Sequence, residues 1–156
     1  MPAVALAYVF WHCPAAGADL DAYAGSLVRW HAALAERAAV IASATWRLPD
    51  GAPWLAAWDG PVFEDWYLVA DWTALGQLEH DAVAPDLLAD HAAAAARALN
   101  GVAGVWRGPA RLPGDDVRWT DAAPADGQLA WRRCLTLGPA AQYAVEATGN
   151  PTRIRL

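Results

Sequence analysis

Residues 61–71 constrain the fold of this chain more than any other stretch. They combine three aromatic residues, the adjacent carboxylates Glu64 and Asp65 and an apolar end in one strand-like run. A helical pattern opening at Trp72 follows at once. A strand that leads directly into a helix indicates a mixed α and β fold, and the two carboxylates are candidates for chemistry.

Composition excludes several classes of protein. At 156 residues the chain has the length of one domain, and 56% apolar with 18% charged residues indicates a globular protein. The net charge of −6 argues against a nucleic-acid partner, which requires a basic surface. No segment reaches the length of a membrane span, and the apolar stretch Val4–Trp11 lacks the preceding positive charges of a signal peptide. We therefore expect a cytoplasmic protein without a membrane partner.

The two cysteines, Cys13 and Cys134, lie far apart without CxxC spacing. This pattern predicts two reduced thiols and neither a disulfide framework nor a structural zinc site.

The hydrophobic periodicity of residues 1–111 predicts the order β-α-β-β-α-β, which is that of a ferredoxin-like unit with an antiparallel sheet. The predicted elements are a strand at Val4–Trp11, a helix from the Asp19 cap to about Ala38, a strand at Val40–Leu48, a loop at 49–60, the strand at 61–71, a helix from Trp72 that Pro85 interrupts and Asn100-Gly101 stops, and a strand at Val102–Gly108.

Residues 112–156 are predicted to be a β-rich extension of the same domain. Strands are expected at Val117–Thr120, Leu129–Leu137 and Gln142–Ala147, separated by turn signals and without a third helix. The extension is too short for a second complete unit. It is expected to extend the sheet as a hairpin or to reach onto a partner subunit.

The usual strand order of such a sheet, 4-1-3-2, indicates where polar residues meet. It brings His12, the acidic pair at 64–65 and Arg47 to one edge, under the loop of residues 49–60. Glu64 alternates to the other face of its strand and is expected to be a surface or helix-contact acid.

Strand alternation divides the sheet into two faces. The more uniformly apolar face is expected to lie under the helices, and it holds Ala5, Ala7, Val9, Ala42, Ala44, Trp46, Trp66, Leu68, Gly104 and Trp106. The open face is expected to hold Tyr8, Phe10, His12, Ser43, Thr45, Arg47, Asp65, Tyr67 and Arg107. A face with so many aromatic residues needs a cover, and a second copy of the chain is the simplest one, which predicts a homodimer.

The aromatic first strand ending in Trp11-His12 and the Glu64-Asp65-Trp66-Tyr67 strand resemble those of the dimeric α+β barrel superfamily. This superfamily includes antibiotic-biosynthesis monooxygenase-like, EthD-like and stress-responsive barrel proteins and chlorite dismutase-like haem proteins. More closely, the chain is similar to uncharacterised bacterial barrel proteins that share the stretch Glu-Asp-Trp-Tyr-Leu-Val. The resemblance covers residues 3–108 and implies a fold but no single activity.

His12 and Asp65 form the candidate catalytic pair. A carboxylate that orients an imidazole makes a general base near neutral pH. With Arg47 and Tyr67 placing a substrate oxygen, the pair would suit a cofactor-independent oxygenase, isomerase or cyclase acting on an enolisable or phenolic substrate. The alternative is a polar edge where these charges pair with Arg47 or meet water.

Aromatic residues supply the candidate walls of a binding site for a small apolar or aromatic molecule. Tyr8 lies on the open face, and Trp54 and Trp58 lie in the loop, where they form either a lid over a pocket or a plug at the barrel end. The alternative function is a non-catalytic ligand-binding or assembly protein whose barrel is filled by its own side chains.

The chain has three further histidines. His31 flanks the apolar stripe of the first helix and is expected to be a partly buried helix residue. Because relatives of the barrel type use a helix histidine to bind haem iron, His80 or His91 makes a haem-binding barrel a second alternative. Neither histidine has a clear second ligand nearby in the sequence, so we expect no metal site and no cofactor.

Overall fold

A curled antiparallel sheet of eight strands carries the α-helices on one face. The computed structural model describes residues 3–55 and 57–156. The elements are β1 (Val4–Pro14), α1 (Leu20–Leu34), β2 (Val40–Leu48), β3 (Val62–Val69), α2 (Trp72–Ala82), α3 (Leu88–Ala95), β4 (Ala98–Pro109), β5 (Val117–Thr120), β6 (Ala130–Leu137), β7 (Tyr143–Glu146) and β8 (Ile154–Arg155). The strands lie in the order β5-β7-β6-β4-β1-β3-β2-β8. The prediction of a mixed α and β fold is confirmed.

Aspartate caps start the two longer helices, as the sequence predicts. The side chain of Asp19 accepts hydrogen bonds from the backbone N–H groups of Asp21 and Ala22 at the start of α1. Asp71 accepts one from the N–H of Ala74 at the start of α2. These carboxylates satisfy backbone donors that have no partner within the helix.

Two predicted helix ends are wrong. The sequence predicts that α1 runs to about Ala38, but it ends at Leu34. It also predicts a helix stop at Asn100-Gly101, but these residues lie inside β4, where Gly101 pairs with His12. Pairing with β1 extends over the full length of β4, and this long-range ladder overrides the local turn signal.

The extension at 112–156 contributes four strands to the same sheet. Its β6 pairs with β4, β7 pairs with β6, and β5 pairs with β7. Its last strand, β8, pairs with β2 at the opposite edge. The predicted hairpin that extends the sheet is therefore present, and the chain reaches both edges of its own sheet.

The alternation of side chains along the central strands is as predicted, but the two faces are exchanged. The sequence predicts the helices over the face of Trp66, whereas they pack on the face of Tyr67. We call the side that buries the large indole rings the tryptophan face; its fully buried members are Trp11, Trp46, Trp66, Trp106 and Trp131. Among the described residues, this core includes none from α1, α2 or α3.

The opposite side, which we call the helix face, buries Leu6, Tyr67 and Val69 against the helices. From α1, Tyr23, Leu27, Trp30 and Leu34 pack on it, and α2 and α3 add Leu78 and Ala94. The exchange has a physical reason. Polar atoms on α1 pair with polar atoms on this face, whereas the apolar face suits the tryptophans of the extension.

The helices thus cover the aromatic face that the sequence predicts to be open. The homodimer stays a prediction, but the uncovered face on which it was argued is covered within one chain. Cys13 is buried, Cys134 is exposed, and neither is in a disulfide. None of the helices described is both long enough and apolar enough to cross a bilayer.

Candidate functional site

Three elements bring a polar cluster together on the helix face. In the register of β1 and β3, Phe10 lies opposite Asp65, so His12 is the diagonal neighbour of that carboxylate. A diagonal pair on adjacent strands is within reach of long side chains. From above, α1 adds Tyr23 and His31, which are eight residues apart and therefore share a helix face.

Asp65 is the centre of this cluster. Its Oδ2 lies 2.9 Å from Nε2 of His12 and accepts a hydrogen bond from the Tyr67 hydroxyl at 3.1 Å. Its Oδ1 lies 3.5 Å from Nε2 of His31 without a hydrogen bond. The indole of Trp30 in turn donates to the Tyr67 hydroxyl at 3.1 Å. The Asp65 carboxylate is 2% exposed, so these contacts form in a nearly dry environment.

Both ring nitrogens of His12 are engaged. While Nε2 faces Asp65, Nδ1 is hydrogen-bonded to the hydroxyl of Tyr23. The rings of Phe10 and Phe63 both stack with that of His12, with centroids 5.1 and 6.0 Å away. His12 is therefore fixed in orientation, and neither nitrogen is free to take a proton from a substrate.

The charge of Asp65 determines the ionisation of its neighbours. Burial raises the pKa of Asp65, but the charge and hydrogen bond of His12, together with the effect of His31, lower it by more than burial raises it. The pKa of Asp65 therefore lies well below its usual range. The carboxylate is therefore ionised at neutral pH. Burial and the Asp65 charge raise the pKa of both Tyr23 and Tyr67. Each phenol therefore keeps its proton, and Tyr67 donates its proton to Asp65 in a hydrogen bond.

A cavity of about 250 Å³ opens beside this cluster, between the sheet and the three helices. Its walls are largely rings and aliphatic groups, and they are formed by Tyr8, Phe10, His12, Leu27, Trp30, Asp65, Tyr67, Leu78, Glu79, Ala82, His91, Ala94, Ala95 and Ala98. Burial, followed by the charges of Glu79 and Asp65, raises the pKa of Tyr8 to about 12. The Tyr8 hydroxyl is therefore a neutral polar group in this wall.

Four of the residues that the sequence predicts for a site come together here: His12, Asp65, Tyr67 and Tyr8. Arg47 does not join them. It lies opposite Phe63 on β3, is exposed and is absent from the cavity wall. Of the predicted convergence, the meeting of His12 with Asp65 is present, and Arg47 is absent from it.

The two loop tryptophans lie on the other side of the sheet. The ring of Trp54 is 5.1 Å from that of Trp11 and 5.6 Å from that of Trp119, edge to face in both cases. Trp58 packs partly buried against the same core. Both residues thus pack on the tryptophan face and do not line the cavity.

The sequence predicts that Glu64 is a surface or helix-contact acid, and this prediction is wrong. Glu64 is a fully buried carboxylate on the tryptophan face. It accepts hydrogen bonds from the indole N–H groups of three tryptophans, at 2.9, 2.6 and 3.0 Å, and forms an ion pair with Arg153. The three donors are Trp11, Trp66 and Trp119. With every acceptor position engaged by protein, Glu64 is a structural residue.

The residues that α1 adds to the site are not among the predicted site residues. Tyr23, Leu27 and His31 recur at intervals of four, which places all of them on the buried face of the helix, and this spacing was the available signal. The ring of His31 stacks on Tyr67 at 4.9 Å. By contrast, the partnership of Glu64 with Arg153 joins residues 89 positions apart, and no local pattern predicts it.

The remaining histidines, His80 and His91, lie on different helices. His80 is exposed on α2, and His91 lies in the cavity wall with its ring 5.1 Å from that of Trp30. The described part of the chain has no group of three or more histidine, cysteine or acidic side chains suited to hold a metal ion.

The function proposed below is argued from the geometry of the site, because comparison with known proteins gives no relative of this chain. The resemblance to dimeric α+β barrels stays a prediction, because no protein-family model, no curated protein and no solved structure matches this chain.

Proposed function

We propose that the protein binds a small, largely apolar or aromatic molecule in the cavity on the helix face. The observation that carries the proposal is an aromatic-walled cavity of about 250 Å³ with the buried Asp65 and His12 pair in its wall. Apolar walls with a few fixed polar groups are typical of ligand sites. Because pockets for drug-sized ligands have volumes of about 300–1,000 Å³, we expect a smaller ligand here, of the size of a single ring.

The geometry favours binding over catalysis. A general base needs an unoccupied nitrogen within reach of its substrate, and both nitrogens of His12 are held by Asp65 and Tyr23. Tyr23 is fully buried and is not among the residues that line the cavity. An oxygenase or isomerase activity would therefore require His12 or Tyr23 to move, and it stays a prediction.

The alternative of a barrel filled by its own side chains fits the tryptophan face. The indole rings of the tryptophan face contact one another edge to face, for example Trp11 with Trp106 at 5.5 Å and Trp66 with Trp131 at 5.3 Å. This face is structural in our proposal, and the helix face carries the ligand. A haem does not fit this account, because the porphyrin is far larger than the cavity.

The finer assignment of the fold is part of the same proposal. The four central strands lie in the order β4-β1-β3-β2, which supports a ferredoxin-like unit that the extension at 112–156 has enlarged. A dimer of such units would be detected by light scattering of the purified protein, as twice the mass of 16.6 kDa.

A screen of single-ring fragments by ligand-observed NMR tests the proposed function, with two variants of α3. Ala95 and Ala93 are both exposed on this helix, but only Ala95 lines the cavity. We expect Ala95→Phe to abolish the signals of bound fragments and Ala93→Phe to leave them unchanged. Fragments that bind equally to both variants, or a screen without any binding, would contradict the proposal.

A further inference from the structure

Most of the polar side chains in the cavity wall are already engaged by other side chains of the protein. Both ring nitrogens of His12 form such contacts. The indole of Trp30 donates to the hydroxyl of Tyr67, which itself donates to Asp65. Oδ1 of Asp65 is closed off by burial and lies against His31, which does not line the cavity. The polar network around Asp65 is therefore not the part of the wall that recognises a ligand.

Three polar residues of the wall form no side-chain hydrogen bond with the described part of the chain: Tyr8, Glu79 and His91. Glu79 is exposed on α2, so water solvates its carboxylate. Tyr8 and His91 are half-buried. His91 lies on α3 with its ring 5.1 Å from that of Trp30, whereas Tyr8 lies on the central strand β1. Tyr8 therefore offers a polar group to the cavity from the most firmly held element of its wall.

The ring of Tyr8 is held in place by its neighbour on β3. Tyr8 lies directly opposite Tyr67 in the register of the two strands, and the two rings stack with centroids 5.8 Å apart. Unlike Oδ1 of Asp65, the Tyr8 hydroxyl is not sealed off by burial. A phenol hydroxyl has one proton to donate and lone pairs that accept. A ligand in the cavity can therefore form a hydrogen bond with it.

The surroundings of the Tyr8 hydroxyl disfavour charge. Burial is the largest cause that raises the pKa of Tyr8 to about 12, and the charges of Glu79 and Asp65 add to it. The phenol is therefore neutral at pH 7 and keeps its proton. Because burial penalises the charged form of any group, a charge of either sign on a ligand atom beside this hydroxyl is also disfavoured. A neutral oxygen avoids this penalty and accepts the hydrogen bond.

We propose that Tyr8 determines the specificity of the cavity, and that the ligand is a neutral single-ring compound with a hydroxyl or carbonyl oxygen. The Tyr8 hydroxyl donates a hydrogen bond to that oxygen. The ring of the ligand lies against the apolar part of the wall, which includes Leu27, Leu78 and the alanines of α3. Asp65 acts at one remove, because it holds the hydroxyl of Tyr67, on which Tyr8 stacks. This inference rests on the proposed function of the same cavity.

NMR titrations at pH 7 with benzyl alcohol and ethylbenzene, two neutral compounds of nearly the same shape, test the inference. Only benzyl alcohol has an oxygen. Because the two compounds also differ in their own hydration, the informative quantity is the change in affinity that a variant of Tyr8 causes for each. Tyr8→Phe removes only the hydroxyl. We expect it to weaken the binding of benzyl alcohol about threefold to tenfold, as for one neutral hydrogen bond, and that of ethylbenzene less than about twofold.

Two controls separate the hydroxyl from other effects. Tyr143→Phe makes the same change at a half-buried position on β7 outside the cavity wall, and we expect it to alter neither affinity. Benzylamine and benzoate carry a charge at the place of the oxygen, and we expect both to bind at least about threefold more weakly than benzyl alcohol.

The outcomes distinguish the inference from the proposed function. If Tyr8→Phe changes the affinity for both neutral compounds equally, or for neither, the inference is overturned and the proposed function stands. The same holds if benzylamine or benzoate binds as tightly as benzyl alcohol. Failure of all four compounds to bind the unmodified protein would overturn both.

Discussion

Glu64 and Asp65 are adjacent in the sequence, yet their carboxylates are buried on opposite faces of β3 in contrasting environments. Glu64 is surrounded by three indole donors and the Arg153 guanidinium. Asp65 keeps one oxygen without a hydrogen-bond donor and lies in the wall of a cavity. The saturated carboxylate holds the core together, whereas the other one lies beside the cavity in which we propose that a ligand binds.

The structural role of Glu64 leads to a stability prediction. Glu64→Gln leaves the Arg153 guanidinium, 3% exposed, without its counter-ion. We expect the free energy of unfolding to fall by about 3–5 kcal/mol, because a buried charge loses its partner. Urea denaturation measures this change. The control is Asp86→Asn, which breaks an exposed pair with Arg37 and is expected to cost about 0–1 kcal/mol. Equal losses in the two variants would refute the assignment.

Asp65 leads to a prediction about pH. Its pKa in the folded protein lies below its usual range, because His12 and His31 outweigh the effect of burial, whereas an unfolded aspartate has a pKa of about 3.9. Below about pH 5 the unfolded state therefore takes up a proton first. The stability that Asp65 contributes is complete above this pH and is lost as the pH falls. We expect urea midpoints between pH 7 and pH 3 to decline less steeply for Asp65→Asn than for the unmodified protein. Parallel curves for the two proteins would count against the ion-paired state of Asp65.

The period-two pattern of two strands predicted which residues share a side of the sheet. Tyr8 and His12 on β1 and Asp65 and Tyr67 on β3 indeed line one cavity. The pattern did not predict which side the helices cover, because Trp66 on one face is as easily buried as Tyr67 on the other.

Which side of the sheet the helices cover depends on residues far away in the sequence. Trp119 and Trp131, from the extension, pack against Trp66, with ring centroids 5.8 and 5.3 Å away. From α1, Trp30 donates a hydrogen bond to Tyr67. Such partners follow from the strand order of the whole sheet and from no local spacing.

The extension should be essential to the tryptophan face. Trp119→Phe removes an indole donor to Glu64 and leaves a smaller ring against Trp11 and Trp106. We expect a loss of about 2–3 kcal/mol, since a hydrogen bond to a charged group and part of the buried aromatic area are lost together. Trp72→Phe is the control, because Trp72 is 46% exposed, and it should stay within about 0.5 kcal/mol. Denaturation followed by circular dichroism compares the two, and a negligible effect at position 119 would contradict the packing described.

Two glycine substitutions should change stability in opposite directions. A Cβ atom at Gly104 would lie 2.6 Å from the Trp106 ring and 2.8 Å from the carbonyl oxygen of Leu135. We expect Gly104→Ala to cost about 1–3 kcal/mol, because neither neighbour has room to move. Gly76, inside α2, has no atom within 4 Å of such a Cβ, and Gly76→Ala should stabilise by about 0.4–1 kcal/mol. Thermal unfolding gives both signs, and a neutral Gly104→Ala would show that β4 is less tightly packed against β6.

The indole N–H signals of the protein report directly on which face of the sheet a ligand occupies. Trp30 lines the cavity and donates to Tyr67, whereas Trp11, Trp66 and Trp119 donate to Glu64 on the other face. We would record ¹H–¹⁵N spectra, assigned by single Trp→Phe variants, during titration with benzyl alcohol and with benzylamine. We expect at least one of the two compounds to shift the Trp30 signal while the signals of Trp11, Trp66 and Trp119 stay in place. Shifts confined to the tryptophan face, or no shift of Trp30 with either compound, would contradict the proposed function.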